Sequence, residues 1–254
     1  MTTTKARLIF VHGAWHGAWC WEKYFIPYFT SLGFDCHAFN LPKHDTPGPV
    51  TGINSLSLAD YVQALKLEVD SSEELPIIIG HSMGGIIVQK YLETYPAKMA
   101  ILLAPAPPAG VLTTTFRFLK KGYAYPALLL FDLYKLVNTP DKAKWAFFSD
   151  DFSKEETLEY SQKLCSESYL AFLNMLAPRV KLNYHRKIPM LLLAAENDRI
   201  FSVAEHTATA KKYGAELEVI PDIAHDLMLD KGREKVMGFM AQWIEKKEKE
   251  PLVS

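Results

Sequence analysis

Residues 77–88 read Ile77-Ile78-Ile79-Gly80-His81-Ser82-Met83-Gly84-Gly85-Ile86-Ile87-Val88. The β-branched run predicts a buried strand, and the apolar residues that follow the small-residue turn recur with helical periodicity. Ser82 stands in a Gly-x-Ser-x-Gly frame at the tip of that turn. A strained turn that exposes a nucleophile tolerates no Cβ two positions before or after it, which explains Gly80 and Gly84. The N–H groups of the following helix would point at the same spot and stabilise negative charge there.

This strand–turn–helix segment resembles the nucleophile elbow of the α/β-hydrolase superfamily, and the resemblance implies that Ser82 is a nucleophile. A second motif, His12-Gly13-Ala14, follows a short apolar strand predicted at residues 7–11. In the superfamily this place forms half of the oxyanion hole. The resemblance therefore implies that the backbone N–H of Ala14 acts together with the N–H of Met83.

The composition indicates a globular protein whose net charge would not attract a polyanion. The 254 residues fit one α/β domain with an insertion, and 49% hydrophobic residues can fill a sizeable core. The formal charge of -1 gives no attraction for nucleic acid or an anionic membrane. Cys20, Cys36 and Cys165 are odd in number and widely spaced, which favours free thiols in a reducing compartment.

The N-terminus lacks the long apolar region of a secretory signal, and no run approaches the roughly 18 apolar residues of a membrane span. We therefore expect a cytoplasmic protein without stable membrane insertion. No metal-ligand spacing and no cofactor motif is found, so we expect no metal and no organic cofactor. The sequence leaves the oligomeric state open.

Predicted strands and helices alternate along most of the chain, which is typical of an α/β fold with a mostly parallel sheet. The helical pattern at residues 19–31 predicts one helix, and strands are predicted at 35–39, 75–79, 99–103, 188–195 and 216–220. After the strand at 99–103 the alternation lapses, and residues 111–186 read as helices only. The resemblance implies that this insertion is a cap over the active site. We therefore predict a core of residues 1–110 and 187–254, and a helical cap of residues 111–186.

A serine nucleophile needs a histidine base and a carboxylate that orients the imidazole. His225 is the predicted base, because it lies in the loop between the last strand and the last helix, where the superfamily places it. The other histidines precede that place or lie on other elements: His12, His16, His37, His44, His81, His185 and His206. Asp198 follows the strand at 188–195 and is the predicted acid, whereas Glu196, Asp222 and Asp226 are less suitably placed.

Two residues of the loop after the first strand are candidates for the substrate pocket. Trp15 belongs to an aromatic cluster that otherwise favours packing, and His16 is a loop histidine that could also line the pocket. The apolar and aromatic side chains of the predicted cap would supply the rest of the lining. This prediction favours a small to medium, largely apolar substrate.

The predicted function is hydrolysis of a carboxylic ester through an acyl-enzyme, with a small-molecule ester as the partner. The core motifs are most similar to small α/β-hydrolases that include plant methyl-ester esterases and hydroxynitrile lyases. The lyases carry threonine in place of Gly13 and lysine in place of Asp226, so the resemblance disfavours lyase chemistry. A thioesterase, a lysophospholipase or monoacylglycerol lipase, a lactonase and a carbon–carbon bond hydrolase stay open. A ligand receptor on a hydrolase scaffold is the alternative without catalysis.

Overall fold

The computed structural model describes residues 5–122, 124–181 and 188–250, without the side chains of residues 124–126. Six parallel strands form its central sheet in the order β2-β1-β3-β4-β5-β6. They are β1 (Lys5–Val11), β2 (Phe34–Ala38), β3 (Ile77–His81), β4 (Met99–Leu103), β5 (Met190–Ala195) and β6 (Glu216–Ile220). The predicted α/β class with a parallel sheet is confirmed.

The middle of the sheet is apolar on both faces, as a parallel sheet covered by helices requires. All five residues of β3 and all five of β4 are buried. In the register, Val11 of β1 pairs with Gly80, and Gly80 pairs with Leu102 of β4. The carboxyl ends of these strands therefore meet at one edge, where ligand sites of such sheets are built.

Helices cover both faces of the sheet, and their ends follow local capping rules. The core helices are α1 (Trp19–Glu22), α2 (Phe25–Ser31), α3 (Leu58–Asp70), α4 (Met83–Tyr91), α10 (Val203–Tyr213) and α11 (Arg233–Lys249). Ser57 and Asp60 form a capping box at the start of α3. Gly214 ends α10 in the left-handed conformation with φ of 64°.

The prediction of one continuous helix over residues 19–31 is wrong, because the chain breaks between α1 and α2. Pro27 explains the break. Its ring would collide with the carbonyl group of Lys23 in a continuous helix, and it lacks the N–H that would bond there. Proline is tolerated in the first turn, so the helix restarts at Phe25.

The segment between β4 and β5 is helical in its described residues. It contains α5 (Leu112–Lys120), α6 (Ala124–Leu129), α7 (Pro140–Phe147), α8 (Lys154–Ser161), α9 (Tyr169–Leu176) and a 3-10 turn at Leu133–Leu136. Within residues 111–122 and 124–181 no sheet strand occurs, and an isolated bridge joins Cys165 to Gly48. The predicted boundary between residues 186 and 187 lies outside the described residues.

This segment is attached to the core at several points. Cys165 N donates to Trp15 O at 2.9 Å, and the Arg117 guanidinium contacts Glu205 of α10 at 2.7 Å. None of the described helices is long and apolar enough to cross a membrane.

Candidate active site

The turn between β3 and α4 holds Ser82 in a strained backbone conformation with φ of 52° and ψ of −116°. A Cβ on Gly80 would lie 2.6 Å from the carbonyl oxygen of Gly84, and a Cβ on Gly84 would lie 2.3 Å from that of Val11. Both distances are far below contact range, so only glycine permits this crossing of strand and helix. The strain is of the kind that presents a side chain at a functional site.

The loop after β1 brings a second backbone segment against this turn. A Cβ on Gly13 would lie 3.0 Å from Ser82 Cβ and 2.9 Å from His81 Nδ1. The loop therefore packs so closely against the turn that no side chain fits at position 13. Within the described ranges, neither the N–H of Ala14 nor that of Met83 has a hydrogen-bond acceptor. Both residues line a cavity together with Ser82.

His225 lies in the loop between β6 and α11, and its Nδ1 is 2.8 Å from Asp198 Oδ2. A carboxylate only accepts, so Nδ1 carries the hydrogen and Nε2 is left to act as a base. The other oxygen, Asp198 Oδ1, accepts from Ile200 N at 2.7 Å and from Phe201 N at 3.0 Å. Both side chains are buried. Because each oxygen of Asp198 has its own hydrogen-bond donors, the carboxylate is held in one orientation.

The charge of Asp198 is stabilised by its surroundings. Burial alone would raise the pKa of Asp198, but the charge and hydrogen bond of His225, the charge of His206 and the backbone N–H of Phe201 bring that pKa below its usual value. The carboxylate is therefore ionised near neutral pH and can stabilise an imidazolium at His225.

His225 lies beside the turn that carries Ser82. Its ring centroid is 4.8 Å from that of His81, whose Nε2 donates to the His225 carbonyl oxygen at 3.0 Å. In the described part of the chain no hydrogen bond joins Ser82 Oγ to the His225 ring. Such contacts often tighten only when substrate is bound, so the arrangement is compatible with proton transfer between them.

A largely apolar cavity opens in front of Ser82, with about 680 Å³ of empty space including the part open to solvent. It is lined by Ala14, Trp15, Ser82, Met83, Ala106, Val111, Thr114, Thr115, Phe118, Leu128, Leu133, Leu136, Glu167, Phe172, Met175, Ile200 and Phe201. Most of these residues belong to the helical segment between β4 and β5.

The two predicted pocket residues are placed differently. Trp15 lines the cavity, and its indole Nε1 donates to Leu133 O at 3.2 Å. His16 is not among the lining residues, and both of its ring nitrogens are bonded to protein atoms, Ala14 O and Asp226 Oδ2. The prediction that His16 lines the pocket is therefore corrected.

Two buried pairs of histidine and carboxylate near the site were not expected from the sequence. His16 Nε2 lies 2.9 Å from Asp226 Oδ2, and His44 Nε2 lies 3.0 Å from Glu167 Oε2. Tyr61 also donates to Glu167, at 3.0 Å. The partners in each pair are more than 100 positions apart, so no local sequence pattern indicates that they meet. One sequence feature bears on the first pair, namely that Asp226 directly follows the predicted base His225.

The remaining histidines have other surroundings. His12 and His206 are buried, His37 pairs with Glu68 on the surface, and His185 lies outside the described residues. His81, His225 and Asp226 place nitrogen and oxygen atoms within 4.8 Å of one another, which is a possible cation-binding geometry. Two of its ring nitrogens, His225 Nδ1 and His81 Nε2, already have protein partners.

Sequence comparison finds relatives of this chain among plant methylesterases. Methyl jasmonate esterase 1 of Vitis vinifera is 33% identical over 104 residues, which cover 40% of this chain and 39% of that protein. Methylesterase 10 of Arabidopsis thaliana is 27% identical over 186 residues, which cover 64% of this chain and 63% of that protein. The chain thus matches less than two thirds of the length of these relatives. The predicted kinship with plant methyl-ester esterases is confirmed.

Solved structures share the fold at low identity. The crystal structure of a methylesterase protein from Arabidopsis has a TM-score of 0.70 and 18% identity, covering 95% of this chain and 99% of that one. A monoacylglycerol lipase of Paleococcus ferrophilus has a TM-score of 0.69 and 19% identity, with 93% of each chain covered. The sequence model of the alpha/beta hydrolase family matches residues 8–237. Because that match includes the elbow, the loop after β1 and the loop of His225, the chain belongs to the alpha/beta hydrolase family.

Proposed function

We propose that the protein is a serine hydrolase that cleaves carboxylic esters, with Ser82 as nucleophile, His225 as base and Asp198 as the orienting acid. The observation that carries this proposal is the strained Ser82 turn, which adjoins a buried His225–Asp198 pair and two unbonded N–H groups. These are the parts that acyl transfer requires: a nucleophile, a base in a fixed tautomer and donors for an oxyanion.

In the proposed reaction His225 Nε2 removes the Ser82 proton as Oγ attacks the ester carbonyl carbon. The N–H groups of Ala14 and Met83 stabilise the oxyanion of the tetrahedral intermediate, each by a few kcal/mol. The imidazolium then gives its proton to the leaving alcohol, and an acyl-enzyme remains. Water, activated by the same histidine, attacks the acyl-enzyme and releases the acid.

We also propose that residues 111–186 form a cap that determines the substrate. Helices α5, α6 and α9 each contribute to the cavity wall, through Phe118, Leu128 and Phe172 among others. A ligand in contact with Ser82 would therefore lie between the core and this segment. The proposed core comprises residues 1–110 and 187–254.

The cavity favours an apolar acyl or alkyl group. Thr114 and Thr115 each donate their hydroxyl group to a backbone carbonyl, at 2.9 and 3.0 Å. The Glu167 carboxylate accepts from the buried Tyr61 and His44 side chains. These polar groups are already satisfied, so a polar substituent bound among them would lose its hydrogen bonds to water without replacement.

Turnover of p-nitrophenyl acetate and butyrate tests the proposal. We expect hydrolysis by the unaltered protein, loss of hydrolysis in Ser82→Ala, and no change in Ser55→Ala, whose serine is exposed. A fluorophosphonate probe should label Ser82 in the unaltered protein. If neither turnover nor labelling occurs, the protein is a receptor on a hydrolase scaffold rather than an enzyme.

A longer series of esters, together with acyl-CoA, a lactone and a monoacylglycerol, separates the remaining hydrolase classes. We expect kcat/KM to rise with acyl length until the cavity is filled, because each buried methylene contributes about 0.8 kcal/mol. A thioester or lactone preferred at matched chain length would redirect the assignment to that class.

A further inference from the structure

His16 connects the two loops that carry the proposed catalytic groups. Its Nδ1 lies 2.8 Å from the carbonyl oxygen of Ala14, which lines the cavity and is the proposed oxyanion donor. Its Nε2 lies 2.9 Å from Oδ2 of Asp226, the residue directly after His225. The His16 side chain is 1% exposed and that of Asp226 is 0% exposed, so both groups are removed from bulk solvent.

The partners of His16 determine its protonation. The carbonyl oxygen of Ala14 only accepts hydrogen bonds, so Nδ1 must carry a hydrogen. The Asp226 carboxylate also only accepts, so Nε2 must carry one as well. A ring with hydrogens on both nitrogens is an imidazolium, and its charge is balanced by the carboxylate 2.9 Å away.

Two neighbouring histidines differ from His16 in this respect. His12 Nδ1 lies 2.8 Å from Gly13 O, but its Nε2 accepts from Leu41 N at 3.0 Å, which requires a neutral ring. His81 donates through Nε2, and among the described residues its buried Nδ1 has no hydrogen-bond partner. Burial lowers the pKa of both rings, that of His81 to about 3.

The charged form of His16 depends on Asp226. Burial alone would lower the pKa of His16, yet the charge and hydrogen bond of Asp226 raise it above its ordinary value. Burial would likewise raise the pKa of Asp226, and His16 brings it below its ordinary value. The other titratable groups that interact with the pair are His81, with Nε2 3.7 Å from Asp226 Oδ1, and, at longer range, His225, His12, His44 and Cys20.

Hydrogen bonds from His12 and His16 hold the backbone around the N–H of Ala14. His12 Nδ1 donates to the carbonyl oxygen of Gly13, in the same peptide group as that N–H, and His16 donates to the carbonyl oxygen of the next peptide group. The two peptide groups that flank the Ala14 Cα are therefore each held by an imidazole. The far side of His16 is held by the loop of His225.

From this juxtaposition we propose that the buried His16 imidazolium and Asp226 carboxylate are positioning residues, which fix the Ala14 loop against the His225 loop for transition-state stabilisation. This inference rests on the proposed esterase function. Neither residue touches the reacting atoms. Their effect should therefore appear in kcat, because an oxyanion donor displaced from its place is lost mainly in the transition state.

The test is a double-mutant cycle with His16→Gln, Asp226→Asn and the double variant, assayed with p-nitrophenyl butyrate. We expect each single variant to lower kcat by about 10-fold to 100-fold with KM changed less than about threefold. The double variant should lose no more than the worse single variant, because the two residues act as one unit. The matched control is His37→Gln, which removes a histidine from a surface pair with Glu68 and should leave kcat unchanged.

A measurement on the unaltered protein keeps the inference testable if a variant fails to fold. Nitrogen NMR of the histidine rings should show His16 with hydrogens on both nitrogens at neutral pH, and this pattern should disappear in Asp226→Asn. A neutral His16 ring, or additive losses of kcat in the double variant, overturns the inference. Failure of the proposed function itself is distinct, since the unaltered protein would then neither hydrolyse esters nor be labelled at Ser82.

Discussion

Replacing Asp198 with asparagine changes one atom and should reverse the tautomer of the proposed base. Asp198 Oδ1 accepts from two backbone N–H groups, at Ile200 and Phe201, so the asparagine oxygen will take that place. The asparagine NH₂ group then faces His225 Nδ1, which must accept. The ring hydrogen moves to Nε2, and the lone pair needed to deprotonate Ser82 is lost.

The magnitude follows from what this change removes and what it keeps. Loss of the correct tautomer in a serine, histidine and aspartate triad costs about 10⁴ in kcat, or ~5.4 kcal/mol. The contacts to the backbone persist, and one charge-assisted hydrogen bond becomes neutral, so the free energy of unfolding should fall by only about 1–2 kcal/mol. For a chain of this length that corresponds to a Tm lower by about 2–8 °C.

The assay is steady-state hydrolysis of p-nitrophenyl butyrate, with thermal unfolding measured on the same samples. Asp150→Asn is the matched control, because it neutralises a carboxylate that is 96% exposed and paired with Arg199, the residue after Asp198. We expect the control to retain full activity. A kcat for Asp198→Asn within tenfold of the unaltered protein would refute the assignment of the acid.

Three further predictions concern the loop after β1, the buried pair of His16 and Asp226, and the cavity in front of Ser82. Gly13→Thr should lower kcat/KM at least about 100-fold, because its Cβ would lie 3.0 Å from Ser82 Cβ; Gly33→Thr, in open space, tests stability alone. His16 has a raised pKa in the folded state, so its stabilising contribution is complete below the unfolded pKa of about 6.5 and is lost as pH rises through the folded value. Urea unfolding should therefore show a larger loss of stability in His16→Gln at about pH 6 than at about pH 9. Val111→Phe, within the cavity wall, should lower kcat/KM for p-nitrophenyl octanoate at least about tenfold more than for the acetate; equal losses would mean that acyl groups lie elsewhere.

Local sequence patterns predict those strands and helices whose conformation depends mainly on their own residues. The β-branched run of β3 forms a buried strand at Ile77–His81, two residues later than the predicted 75–79, and β4 and β6 lie at the predicted 99–103 and 216–220. Helical periodicity extends over residues 19–31, but Pro27 cannot form the helical hydrogen bond to the residue four positions earlier, so the chain forms two helices.

Only those candidate site residues that directly follow a strand, or lie in the loop after one, could be predicted from the sequence. Ser82, Asp198 and His225 follow strands or lie in one specific loop, so topology alone brings them to one edge of the sheet. His16 and Glu167 could not be placed in this way, because their partners, Asp226 and His44, are 210 and 123 positions away. A buried charge is stable only with such a partner, and the partner becomes visible only when the chain is folded.

The contact between His16 and Asp226 has a consequence for the order in which the molecule is made. During synthesis the elbow and its neighbouring strands, all within residues 5–103, emerge long before residue 226. Until then His16 lacks its carboxylate partner, and the proposed base His225 is not yet part of the chain. The proposed base, His225, and the partner of His16, Asp226, therefore join the site in the same late step.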